Sequence, residues 1–222
     1  MPQPLSELIC GTFLIYPSPR DTSEVAKNLR ANILKVKTDG FLPSGERIIE
    51  YTVKRLVEEI PDTVLEELFV NAILVPVPTS KKHLPSDKGP QLWTPDLICD
   101  ALLEQGLGAE KCRCIFRKDT IRSSKRCSTA EERPTPQEHV DTMMGVSPSL
   151  VTPDAPVLLV DDVATRGSTM LGAGAHVAAM LVDREIRGFA VAGTANSLIG
   201  NPVQPTLHRI IANENGCWRR PM

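Results

Sequence analysis

Two adjacent carboxylates, Asp161 and Asp162, are followed closely by a short run of hydroxyls, a cation and a glycine: Thr165, Arg166, Gly167, Ser168 and Thr169. Paired acids suit a ligand that carries hydroxyl groups or a bound cation. A turn of small, hydroxyl-bearing residues that opens a helix presents unpaired backbone N–H groups and the positive end of the helix dipole, which suit a phosphate. Together they describe a site for a sugar phosphate with Mg2+. The competing reading is a plain strand-to-helix turn whose acids face water. The first is preferred because acids, glycine and hydroxyls fall in register within one short segment.

Positioning these residues takes a strand and a helix. Val157 to Val160 form an uninterrupted apolar run, the pattern of a strand buried on both faces. From Gly167 to about Asp183 the small and apolar residues predict a helix able to pack closely on a sheet. In open α/β sheets, ligands bind just beyond the carboxyl ends of the strands, where this turn would lie. Upstream, an apolar stretch covers Ile9 to Tyr16. Asp21 or Thr22 is the expected cap of a helix ending near Asp39 and stopped by Gly40. A second helix is expected from Ser44, through Ile48, Ile49, Val53, Leu56 and Val57, to Pro61. Asn71–Val77 reads as a buried strand. Thr94 then caps a helix with Pro95 at its first position, running towards Gly106, with Trp93 as a staple against it. Arg113–Phe116 and Arg187–Ala192 are further strands. Strands alternating with helices predict an α/β fold with an open, mostly parallel sheet and helices on both faces, plus an amino-terminal helical flank. The expected organisation is a strand and helical flank over 1–69, a core over 70–195, and a hood or tail over 196–222.

Composition bounds the function. The chain has 222 residues, a net charge of −2 and 41% hydrophobic residues, enough for a substantial core without an electrostatic footprint for nucleic acid. An aromatic content of 4% argues against a base-stacking platform. No apolar run is long enough to span a bilayer and no leader-like start is evident, so a cytoplasmic protein is expected. The six cysteines include no CxxC pair, and the Cys112/Cys114 pair lies in an apolar stretch. Buried thiols are therefore expected, not a zinc site.

The segment VLLVDDVATRGST resembles the PRPP-binding motif of the type I phosphoribosyltransferases: an apolar strand, two acids, two mostly apolar residues and a small loop rich in hydroxyls and glycine. The resemblance extends over about residues 70–195 and is nearest to ComF-like and other stand-alone members, which share a VPVP strand-loop and an arginine after the next strand. It implies that Asp161 and Asp162 hold the ribose hydroxyls of 5-phosphoribosyl-1-pyrophosphate (PRPP), directly or through the water shell of Mg2+, and act in catalysis. Ala164, Thr165, Arg166, Gly167, Ser168 and Thr169 would wrap the 5-phosphate. Thr79, Ser80, Lys81 and Lys82, in the loop after the VPVP strand, would bind pyrophosphate; the other reading is a solvated loop with two lysines. The basic segment 117–139 would be a lid over the reacting centre, with Arg117, Ser124, Lys125 and Arg133 its best candidates. Arg117 and Lys125 are assigned to catalysis and Arg133 to pyrophosphate. Whether Arg166 clamps a phosphate or points away is open.

The activity so implied is Mg2+-dependent transfer of the phosphoribosyl group from PRPP to a base or amine, with pyrophosphate released. The acceptor would lie under a hood from residues 1–20 and 195–222, including Trp218, Arg219 and Arg220. Oxopurine salvage enzymes carry an aspartate where Thr165 stands, which counts against hypoxanthine or guanine. A sensor or accessory protein that keeps the PRPP cradle without turnover, as ComF-like members in DNA uptake suggest, is the alternative. A second copy of the chain is a candidate partner; membrane and nucleic acid are not.

Overall fold

Val157, Leu158, Leu159 and Val160 are fully buried, and they anchor β6 (Val157–Ala164) in the interior of a sheet. Burying each such side chain is worth about 2 kcal/mol. The computed structural model describes residues 2–87, 92–123, 127, 129, 132–148, 151–195, 201–213 and 216–222. Among these the fold is α/β, with six helices and a seven-stranded mixed sheet of order β3-β2-β6-β7-β1-β8-β9. Its strands are β1 (Glu7–Pro17), β2 (Ile73–Pro76), β3 (Glu110–Lys111), β6, β7 (Ile186–Ala195), β8 (Val203–Asn213) and β9 (Gly216–Pro221). From β3 to β1 every pairing is parallel; β8 and β9 are added antiparallel.

Strand alternation divides the core in two. Val157 and Leu159 pack with Met170, Leu171, Ala173 and Val177 of α6 (Ser168–Met180) on one face. Leu158 and Val160 pack on the other with α2 (Ile48–Glu59), α4 (Thr94–Glu104) and the short α3 (Glu66–Phe69), and α1 (Glu24–Lys37) adds Val36 to the same cluster. α5 (Pro136–Thr142) is held by a capping box between Thr135 and Glu138 and lies against α6.

Several expected boundaries move. Ser23, not Asp21 or Thr22, caps α1, its hydroxyl accepting from the Ala26 amide at 3.2 Å. α2 begins at Ile48, after a turn at Gly45 that is bridged by Phe41 and Arg47. Trp93 occupies the cap position of α4. Thr94 is the first helical residue and donates its hydroxyl to the Lys37 carbonyl, so a tertiary contact displaces the expected local cap. The strand expected at Arg113–Phe116 is β4 (Ile115–Arg117), which pairs antiparallel with β5 (Met143–Gly145) in a separate two-stranded sheet. β6 runs through both aspartates to Ala164, further than the apolar run alone indicates. β1 lies between β7 and β8, inside the same sheet as β6. No helix among the described residues is long and apolar enough to cross a membrane.

Candidate functional site

The parallel pairing of Pro76 with Val160 brings the loop after β2 and the turn after β6 to one end of the sheet. At that end α6 begins on Gly167, in a left-handed conformation (φ 95°, ψ 5°) with no side-chain cap. A Cβ at this position would collide with the Ile210 side chain of β8, so glycine meets both the backbone and the packing demand. With no capping oxygen, the first-turn N–H groups of α6 are left for an external acceptor.

That acceptor space is a cavity of about 70 Å3 lined by Arg133, Pro134, His139, Asp161 and residues Val163 through Met170. It is larger than the ~30 Å3 share of one liquid water and offers room for a tetrahedral oxyanion. The Nε of Arg133 is buried there with no hydrogen-bond partner among the described residues. Asp161 shares the wall. Desolvation, then the charge of Asp162, pushes its pKa up to about 8.

Alternation turns Asp162 to the opposite side of β6. There Lys37 of α1 reaches both its oxygens at 3.2 Å. The two acids therefore do not present equally to one ligand: Asp161 lines the cradle, and Asp162 is engaged by a lysine 125 positions upstream. Lys37 was not identifiable in the sequence, because nothing local marks one lysine of an amphipathic helix.

Arg117 ends β4 and is fully buried, not part of a solvated lid. Its Nε donates to the Thr79 carbonyl (2.9 Å), one terminal nitrogen to the Thr142 hydroxyl (2.6 Å), and the other faces His139 Nδ1 at 3.3 Å. Burial lowers its pKa to about 10, which still leaves it charged. A guanidinium only donates, so His139 Nδ1 must accept, and the imidazole proton resides on Nε2, 3.4 Å from Thr169 Oγ1. Desolvation, then Arg117, lowers the pKa of His139 to about 3 and keeps it neutral. A buried chain thus runs from the Thr79 loop through Arg117 and His139 to the first turn of α6. His139 also went unrecognised, lying as it does inside a segment that reads as a polar loop.

Of the remaining expected residues, Thr79 and Ser80 are partly buried in the loop after β2, which is tied to residues 117–121 by backbone bonds, while Lys81 and Lys82 are exposed. Ser124 and Lys125 lie outside the described residues. Ser168 Oγ lies 3.0 Å from Cys217 Sγ of β9, and that thiol donates to the Arg166 carbonyl, so β9 buttresses the turn.

Beside the cradle, and sharing Thr165 and Arg166 with it, opens a cavity of about 1110 Å3 over the ends of β7, β1, β8 and β9. Thr12, Thr206, His208 and Arg219 supply its polar wall, and Leu14, Ile15, Trp218 and Pro221 its apolar one. Thr12 Oγ1 and His208 Nε2 are 3.0 Å apart, and Arg219 donates to the carbonyls of Ala164 and Thr194. No model of a known protein family matches the chain, and no curated protein does either.

Proposed function

We propose that the protein binds PRPP and transfers its phosphoribosyl group to a nitrogenous acceptor, releasing pyrophosphate, in a core of type I phosphoribosyltransferase kind. The observation that carries this reading is the oxyanion-sized cavity at the uncapped start of α6, which holds together the Asp161 carboxyl and a buried Arg133 nitrogen without a partner among the described residues. The first-turn amides and the hydroxyls of Thr165, Ser168 and Thr169 hold the 5-phosphate. Asp161 holds ribose hydroxyls, with Asp162 behind it once Lys37 yields. Thr79, Ser80, Lys81 and Lys82 take the pyrophosphate. In the reaction the bond from the ribose anomeric carbon to the pyrophosphate oxygen breaks, and pyrophosphate leaves with the electron pair. An acceptor nitrogen bonds to the same carbon and loses a proton.

No cluster of three metal-ligating side chains occurs among the described residues. Mg2+ keeps several waters and binds through one or two carboxylates plus substrate oxygens, a demand that the Asp161 carboxyl on the cavity wall can meet. Asp161 and Asp162 are the residues that would hold it, and when bound it supplies charge neutralisation for the departing pyrophosphate.

A specific observation favours a second reading, a PRPP sensor without turnover: Lys37 already neutralises Asp162. Calorimetric titration of PRPP with Mg2+, followed by pyrophosphate release against a panel of bases and amines, separates the two. The double variant Asp161→Asn/Asp162→Asn is expected to bind PRPP at least tenfold more weakly while keeping its melting transition. Unchanged affinity would remove both acids from the site. Tight binding without release for every acceptor would establish the sensor.

A further inference from the structure

The large cavity has a charge imbalance that names its occupant. Arg219 lines it, and no Asp or Glu does among the described residues. Arg219 is mostly buried. Its hydrogen-bond acceptors are two backbone carbonyls at the ends of β6 and β7, and it forms no ion pair among the described residues. Buried cations are normally paired, because desolvating a charge without a counterion is costly. The acidic group that Arg219 does feel, the Cys10 thiol, is no counterion, since burial pushes its pKa up to about 12 and keeps it neutral. Gly193 maintains the arrangement: a Cβ there would strike the Arg219 guanidinium. Beside this charge His208, itself buried, has its Nδ1 without a partner among the described residues.

The rest of the wall specifies shape. Leu14, Ile15, Pro221 and the indole of Trp218, over which Arg220 stacks at 5.0 Å, give flat apolar surface suited to a ring. The volume of about 1110 Å3 slightly exceeds the ~300–1,000 Å3 of drug-sized sites, so one or two rings fit.

We infer that this cavity is the acceptor site and that its acceptor is a nitrogen heterocycle carrying a carboxylate, which supplies the missing counterion of Arg219. The inference rests on the transferase reading for the word acceptor; the preference for an acid stands on the cavity alone.

Matched probes test it: pyridine-3-carboxylate against its carboxamide, and quinoline-3-carboxylate against its carboxamide, titrated calorimetrically into the full chain with and without PRPP and Mg2+. At least one acid is expected to bind tenfold or more tighter than its amide. Arg219→Gln removes the charge while keeping a polar amide at this position. It should abolish that preference while PRPP affinity stays within threefold. Trp218→Ala should weaken acid and amide alike. Equal binding of acid and amide, or no binding of any probe, in the wild type overturns the proposal even if Arg219→Gln fails to fold. A preference that survives in Arg219→Gln overturns the role of Arg219. If the acids bind selectively but PRPP does not bind at all, the carboxylate site stands and its role as acceptor site is overturned together with the transferase reading.

Discussion

At the scale of single residues, the chemistry depends on groups whose charge is set by burial. His139 is the clearest case, a neutral imidazole wedged between the Arg117 guanidinium and Thr169, with its pKa lowered to about 3. Its proton arrangement leaves the Thr169 hydroxyl accepting from the ring and free to donate its own hydrogen into the cradle. The same burial makes the fold acid-sensitive. Below pH 6.5 the unfolded chain takes up a proton at this position that the folded chain refuses, so stability falls as the pH drops. His208, lowered to about 4 by burial and by Arg219, adds to the effect over the upper part of that window. Asparagine at 139 keeps an acceptor near the place of Nδ1 and does not titrate. His139→Asn is therefore expected to lose less thermal stability than the wild type between pH 8 and pH 5, with the difference between the two losses worth about 2 kcal/mol, or ~6 °C. Parallel pH dependences of the melting temperature would show that His139 is already charged in the native state.

At the scale of elements, the strand–turn–helix unit β6–α6 was legible because its signals are local. The apolar run, the two acids, the glycine and the hydroxyls are contiguous, and they mark the end of the sheet where the small cavity opens. What was not legible is what stands around that unit. Lys37, Arg117 and His139 come from three other elements, and no periodicity links them to Asp162 or Thr169. Arg117 was expected to act in catalysis from a mobile basic lid. Only the pairing of β4 with β5, and the return of the chain through α5, converts it into a buried strut. Gly167 was readable as a turn residue, yet not as the seat of Ile210 from β8. That contact makes a sharp prediction. Gly167→Ala combines a positive-φ alanine with a steric collision and should cost about 1–3 kcal/mol, with PRPP affinity falling at least tenfold. Adding Ile210→Ala removes only the collision. The double variant should thus restore less than full affinity, as measured by calorimetry. Full restoration would mean that backbone strain at 167 contributes nothing.

At the scale of the whole molecule, the chain closes on itself in a way that a division into flank, core and tail does not convey. β1 is hydrogen-bonded to β7 along one edge and to β8 along the other, so the amino-terminal strand joins the parallel strands to the carboxyl-terminal hairpin. These pairings join residues nearly the full chain length apart (Cys10 with Gly188 and His208), and the alternation of apolar side chains cannot name a partner at that distance. The helices before residue 70 are equally committed: Leu56, Leu65, Leu68 and Phe69 complete the cluster that buries Leu158, Val160, Phe189 and Val191. A fragment spanning 70–195 retains the motif and the cradle loop. It also exposes that apolar face and the whole hydrogen-bonding edge of β7, a configuration prone to edge-to-edge association. The fragment is expected to aggregate or to show no cooperative thermal transition, and to bind neither PRPP nor inorganic phosphate, whereas the full chain melts in one step. A soluble fragment with a cooperative transition and phosphate affinity would show instead that the cradle folds on its own, and that the first 69 residues serve only to roof it.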